Sequence, residues 1–307
     1  MNFYFYIVMK IAPILLLFIF PIFAPAQNLD IDKVLAHLEL LASDSLQGRK
    51  SGTEGSLMAQ AYIIDQFSKA GVAAYFPDYK QNFSFGHGRK SIEGTNIVGY
   101  IEGNYEATIV ISAHYDHLGM QDSLVFNGAD DNASGVAALL EIASYFSSNQ
   151  PDHTLVFCAF DAEELGLEGS KAFINSSAVD PTQIALIINM DMISRSEKGI
   201  LYAVGTRQFP YFKDFIPLGQ DGDYSVETGH DDPSKPSENW TFSSDHAPFF
   251  NKNIPFIYFG VDDHEDYHKL SDNYESIHPE FYGFTVEKIL ETILNLDKAL
   301  IEDNDEE

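Results

Sequence analysis

Apolar residues recur at helical spacing over Ile31 to Leu41, where Val34, Leu38 and Leu41 fall on one face, and again over Leu57 to Phe67, after a glycine-rich loop at Gly48 to Gly55. Two helices are expected there. Three later runs, Thr108 to Ser112, Leu155 to Phe160 and Ile184 to Ile188, are short, apolar and rich in Val and Ile, the pattern of strands covered on both faces. Helical stretches at Gly135 to Phe146 and Gly169 to Ile174 separate them, so strand and helix alternate as a parallel sheet requires. Asn96 to Ile101 and Pro255 to Phe259 add two strands. A last helix is expected over Thr285 to Leu300, with Val286, Ile289, Leu290, Ile293 and Leu294 on its packed face. Leu218 to Asn239 lacks periodicity and is full of Gly, Asp, Pro and Ser, which predicts a long surface loop. No repeat or low-complexity linker interrupts the series. The expected fold is α/β, one domain, a mostly parallel mixed sheet sandwiched between helices.

Composition narrows the setting. The chain has 307 residues and 45% hydrophobic content, enough for a large core. Its 46 acids outweigh 18 Lys and Arg, so the surface field repels phosphate backbones, and nucleic acid is not an expected partner. Residues 1–26 read as a signal peptide: Lys10, an apolar run from Ile11 to Phe23, then Ala24-Pro25-Ala26 as a small-x-small cleavage site. An uncleaved membrane anchor is the competing reading, because Phe3 to Met9 is also apolar, but the run past Lys10 is short beside the ~20 residues of a membrane span. Cleavage near Ala26-Gln27 would leave residues 27–307 as an exported catalytic domain, periplasmic or secreted, without stable membrane insertion. The single cysteine, Cys158, lies inside an apolar run and excludes both an internal disulfide and a multi-thiolate metal site. Any metal must be held by nitrogen and oxygen.

In an open α/β sheet, ligands bind beyond the carboxyl ends of the strands. At those positions the sequence supplies acids and histidines. The first run ends in His114-Tyr115-Asp116-His117, the second in Asp161-Ala162-Glu163-Glu164, the third in Asn189-Met190-Asp191, and the fourth is followed by Asp266-Tyr267-His268. Gly128-Ala129-Asp130-Asp131-Asn132 precedes the helix that follows His114. So many carboxylates at one rim raise one another's pKa unless cations neutralise them. Two divalent ions need roughly five or six N/O ligands including a shared carboxylate, which two histidines and three acids supply with one acid left as a base. No Gly-x-Ser-x-Gly elbow occurs.

The strings SAHYDHLG, NGADDNASG, DAEELGLEGS, NMDMI and EDYHKLSD occur in this order, and together they resemble the bacterial leucyl aminopeptidase family of co-catalytic zinc exopeptidases, relatives of glutamate carboxypeptidase. LASDSLQGRKSGTEGS and FSSDHAPFFNKNIPFIYF resemble its exported branch, and the likeness runs from about Asp32 to Ser276. Carried over residue by residue, it implies two Zn²⁺ bridged by Asp131. His114 and Asp191 would complete one site, Glu164 and His268 the other, and Glu163 would be the general base. It also implies a cis peptide between Asp131 and Asn132. Ser194 departs from the family, standing before Arg195 where relatives often have Gly.

The reaction expected from this set is hydrolysis of the N-terminal bond of a peptide with a free N-terminus. A water bridging the ions would be acidified to about pKa 7, with Glu163 taking its proton. Asp116, two residues after His114, is expected to accept the ring N–H that His114 does not use for metal. Tyr267 is a candidate donor to the developing oxyanion or a packed ring. His117 and His246 are expected only behind the ligands or as helix caps, and Arg195 as an ion-pair partner. Three rivals share the fold: a carboxypeptidase, which needs arginine for the substrate carboxylate; a glutaminyl cyclase, which needs one zinc; and a non-enzymatic binding module, whose sign would be eroded ligands, whereas all six polar positions are intact here. For an N/O site zinc competes with other divalent first-row ions.

Overall fold

The computed structural model describes residues 29–302; the expected signal peptide and residues 303–307 lie outside the described residues. In chain order the strands are β1 (Ala73–Ala74), β2 (Lys80–His87), β3 (Lys90–Ile101), β4 (Tyr105–His114), β5 (Gly119–Gln121), β6 (Leu124–Phe126), β7 (His153–Phe160), β8 (Ile184–Met190), β9 (Ile200–Val204), β10 (Gly219–Asp221), β11 (Tyr224–Thr228) and β12 (Phe256–Gly260). The α-helices are α1 (Ile31–Leu41), α2 (Glu54–Ala70), α3 (Gly135–Ser148), α4 (Glu168–Ile174), α5 (Ala247–Phe250) and α6 (Pro279–Glu302). Ten strands form one sheet in the order β1-β3-β7-β4-β8-β12-β9-β11-β10, with β2 beside β3; β5 and β6 pair separately. Its centre, β7-β4-β8-β12, is parallel throughout, so four carboxyl ends meet at one rim. Beyond it, β3 and β9 run antiparallel to their inner neighbours.

Side-chain alternation divides the interior into two cores. Ile109, Ile111, Ala113, Leu155, Phe157, Leu186 and Ile188 point to one face, where they meet Val34 and Leu38 of α1, Ile63 and Phe67 of α2, Val136 to Ala143 of α3 and Ile289 and Ile293 of α6. Val110, Val156, Cys158, Phe160 and Ile187 point to the other, packed against Phe173 of α4 and Phe249 of α5. Two-sided burial is why these strands read as unbroken apolar runs. Cys158 is fully buried, as its neighbours implied. Helix α1 begins where the Asp30 carboxylate accepts the Lys33 N–H at 3.2 Å, and α2 ends at Gly71, whose φ of 80° suits a residue without Cβ.

Two expectations are corrected. The segment Leu218 to Asn239 is not a single loop: β10 and β11 lie inside it, and β11 joins the sheet parallel to β9. Val226 is the apolar side chain that anchors it to the core, too little to register as a periodic pattern. The last helix starts six residues before the expected Thr285, at Pro279, whose missing N–H is harmless in a first turn. Because Ile111 is fully buried in the larger core, Ile111→Ala is expected to lower unfolding free energy by about 2–5 kcal/mol, read from urea denaturation.

Candidate metal centre and cleft

The parallel strands deliver their terminal residues to one place. β4 ends on His114, and Tyr115, Asp116 and His117 follow, all buried. After β7 the chain turns at Ala162, with φ of 60°, and presents Glu163 and Glu164. Asp191 directly follows β8, and Met192 turns the chain away with φ of 58°. Asp131 comes from the irregular turn before α3, and its peptide bond to Asn132 is cis. His268, itself at φ of 57°, comes from the loop after β12.

All seven predicted site residues meet at this rim. His114 Nε2 lies 3.2 Å from Asp191 Oδ1 and 3.4 Å from Asp131 Oδ1. His268 Nε2 lies 3.1 Å from Asp131 Oδ2 and 3.4 Å from Glu164 Oε2. Asp131 therefore turns one oxygen to each side, as a shared carboxylate must. His117, set aside by sequence reasoning, also enters: its Nδ1 is 2.8 Å from Glu164 Oε1 and 3.7 Å from Asp131 Oδ2. Two donor groups result, His114-Asp131-Asp191 and His117-Asp131-Glu164, each with its three ligating atoms within 4.8 Å of one another. Glu164 Oε1 and both His117 ring nitrogens are buried without a hydrogen-bond partner. Converging N and O donors with unspent lone pairs fit divalent cations.

A layer of polar contacts fixes these residues from behind. The Asp116 carboxylate accepts the amide N–H of Glu163 at 3.0 Å and of Glu164 at 3.4 Å, and Asp116 reaches His114 Nδ1 through its backbone carbonyl at 3.2 Å and its carboxylate at 3.7 Å. Asp272 accepts the N–H groups of Asp130 and Asp131 at 2.9 and 3.1 Å. Asp130 in turn accepts from the Ser194 N–H and hydroxyl at 2.7 and 2.8 Å and contacts His264 Nε2 at 3.0 Å. The departure at Ser194 thus adds a hydroxyl donor to this layer. Arg195 pairs with Glu197 and Asp266, as expected. The residue that sequence reasoning missed most completely is Arg49. Fully enclosed, it donates to the carbonyls of Tyr115 (2.8 Å), Leu41 (2.6 Å), Asn127 (2.6 Å) and Gly128 (3.0 Å), locking together the segments that carry His114 and Asp131.

Electrostatics follow from crowding in a low-dielectric rim. Burial lifts Glu163 and Asp131 above the ordinary carboxylate range. Burial also pushes Asp245, an enclosed acid whose two oxygens have no hydrogen-bond partner, up to about 7. For Glu164 burial acts the same way, but the adjacent His117 and His268 overcome it and hold its pKa below the usual value. Contacts with Asp131 and Glu164 raise His268 to about 10. Burial opposes charge on His114, yet Asp191 and Glu163 raise its pKa well above that of free imidazole. Without metal, protons supply the positive charge that the acids demand.

The donors open into a cleft of about 330 Å³ lined by Glu163, Met192, Trp240, Tyr258, Val261 and Tyr267 among others. Pro236, Ser237 and Asn239 complete its wall, so the Leu218 to Asn239 segment borders the site. Trp240 is held by stacking on His230, with ring centroids 3.5 Å apart, and Tyr267 stacks on His268 at 3.9 Å. His246 is removed from the donors, packed between Phe256 and Tyr258, and burial pushes its pKa down to about 4.

This architecture is that of the zinc-dependent exopeptidases: 88% of the chain superposes on 99% of a Zn-dependent exopeptidase from Parabacteroides distasonis with a TM-score of 0.72 at 20% identity. The pattern that defines peptidase family M28 matches residues 96–293, and the chain belongs to that family. A glutaminyl cyclase from Bacteroides thetaiotaomicron has the same fold, with a TM-score of 0.69 at 20% identity over 88% of this chain and 99% of that one. Leucine aminopeptidase 1 of Pyrenophora teres f. teres is 30% identical over 189 residues, 56% of this chain and 45% of that protein. The chain spans about half the length of such curated relatives.

Removing Arg49 would orphan four enclosed carbonyls, so Arg49→Met is expected to lose about 3 kcal/mol or more of stability, measured by urea unfolding. The raised pKa of His268 fixes a pH dependence. A folded-state value near 10 against an unfolded value of 6.5 gives stabilisation that is present below 6.5 and lost as pH rises through 10. The raised carboxyls of Glu163 and Asp131 act in the same direction. Chelator-treated protein should therefore show a melting midpoint that falls over this range, with a shallower fall in His268→Ala.

Proposed function

We propose that this protein is an exported metallo-aminopeptidase that removes N-terminal residues from peptides, using two zinc ions held by His114, Asp131, Glu164, Asp191 and His268. The observation that carries the reading is the position of Glu163: it lines the cleft and is not part of either donor group, while its neighbour Glu164 is. Zinc, when bound, supplies Lewis acidity and lowers the pKa of water to about 7. Glu163 takes a proton from the attacking water and passes it to the leaving amine, a double task suited to an acid whose pKa burial has raised. Asp116 holds both glutamate amides and backs His114, so it positions base and ligand together. Export rests on the signal peptide read at residues 1–26, with the catalytic domain from Gln27; no helix among the described residues is long and apolar enough to cross a membrane.

Cleft chemistry favours an amine over a carboxylate at the substrate terminus. None of the described residues lining it is Lys or Arg, whereas Asp131, Glu163, Asp191 and Asp263 all face it. With Asp131 and Asp191 neutralised as zinc ligands and Glu163 serving as base, Asp263 is left to favour an α-ammonium group, and no lining Lys or Arg holds a terminal carboxylate, which disfavours the carboxypeptidase reading. The glutaminyl cyclase reading has one observation in its favour, the shared fold with the Bacteroides enzyme. Retention of both His114 and Asp191 argues for a second ion and so against it.

Two assays separate these readings. Incubation with free and N-acetylated dipeptides should release amino acids from the free peptides alone, with activity lost to chelator and restored by Zn²⁺. A peptide beginning with glutamine should lose its first residue; ammonia release with ring closure would identify a cyclase instead. Glu163→Gln should lower kcat by at least about a hundredfold while leaving metal content unchanged, and full activity in that variant would remove Glu163 from the mechanism.

A further inference from the structure

His117 has a place in the cluster that the family resemblance did not give it. Its side chain is enclosed, at 1% exposure, and neither ring nitrogen has a hydrogen-bond partner. A buried imidazole kept for packing ordinarily satisfies at least one nitrogen. Here Nδ1 sits 2.8 Å from Glu164 Oε1, an atom that likewise has no hydrogen-bond partner. Together with Asp131 these donor atoms lie within 4.8 Å of one another, close enough to share one cation.

The surroundings hold the ring in this pose. A Cβ at position 128 would lie 2.5 Å from both Cγ and Cδ2 of His117 and 2.1 Å from the Asp131 carbonyl, so glycine at 128 leaves the room this ring position needs. His268 approaches the same two carboxylates from the other side, its ring centroid 5.8 Å away at an interplanar angle of 63°. Two imidazoles thus flank Asp131 and Glu164.

Building on the two-ion reading above, we propose that His117 Nδ1 is a further ligand to the cation bound by Asp131, Glu164 and His268. That half of the site then has four protein donors, enough to close a tetrahedral shell, while the His114 half has three and keeps a position open. Nε2 carries the ring hydrogen and has no acceptor among the described residues. The two halves consequently differ in affinity. The four-donor half fills first and holds its ion through rounds of turnover, and the three-donor half exchanges.

Calorimetric titration of zinc into chelator-stripped protein tests this. Wild type should bind two ions per chain in distinct steps, and His117→Ala should weaken the tighter step by about tenfold or more while sparing the weaker one. Two steps of unchanged affinity in a folded His117→Ala protein would overturn the assignment and leave the five-ligand site standing. Wild-type protein that takes up no zinc would overturn both. Because the variant removes an enclosed ring, a crystal structure of wild type grown with zinc gives a second reading. A zinc–Nδ1 distance of about 2.0–2.1 Å supports the assignment, and a ring hydrogen-bonded to Glu164 with zinc beyond about 3 Å refutes it.

Discussion

Carboxylates brought together away from water repel, and the rim of this sheet assembles Asp131, Asp191, Glu163 and Glu164 within a few contacts of one another. Every other feature of the site answers that repulsion. Imidazoles stand between the acids: His114 between Asp131 and Asp191, His117 and His268 against Asp131 and Glu164. Behind them lies a second tier of acids, Asp116, Asp130 and Asp272, whose charge is spent on backbone N–H and hydroxyl donors. Charged acceptors on backbone N–H groups make stronger hydrogen bonds than neutral ones. The arrangement converts an unfavourable crowd into a rigid frame.

The frame is anchored by a cation that touches no acid. Arg49 satisfies four carbonyls from three separate stretches of chain, and burial lowers its pKa to about 10 although Asp131, Asp272, Asp116 and Glu164 all favour its charge. A guanidinium has five N–H donors in a fixed plane, so one side chain can set the spacing between the end of β4 and the Asp131 turn. An ammonium has neither the reach nor the planarity.

Much of this was legible in the sequence where burial is symmetrical. β4, β7, β8 and β12 are covered on both faces and read as continuous apolar runs, so their ends and the acids and histidines beside them could be located, while the ligand set and the place of Asp131 in it came from the family resemblance. What escaped notice has a physical reason in each case. β2 and the first residues of β3 largely face solvent, so only Asn96 to Ile101 of that hairpin reads as a strand, and β11 contributes mainly Val226 to the core, too little apolar signal to register. Arg49 makes its contacts with backbone carbonyls, which leave no trace in residue identity. His117 resembles any histidine in a loop until Glu164, 47 positions later, is brought beside it.

The wall of the cleft has a different origin from its floor. Its floor consists of strand ends that cannot shift without disturbing both cores, whereas Pro236, Asn239 and Trp240 hang from an excursion between β11 and α5. That excursion is pinned by its own contacts, the His230–Trp240 stack and the Asp231 carboxylate accepting the Gly205 and Arg207 N–H groups. Donor cluster and entrance are thereby mechanically uncoupled: the entrance can be reshaped by insertion or substitution while the converging acids and imidazoles keep their geometry.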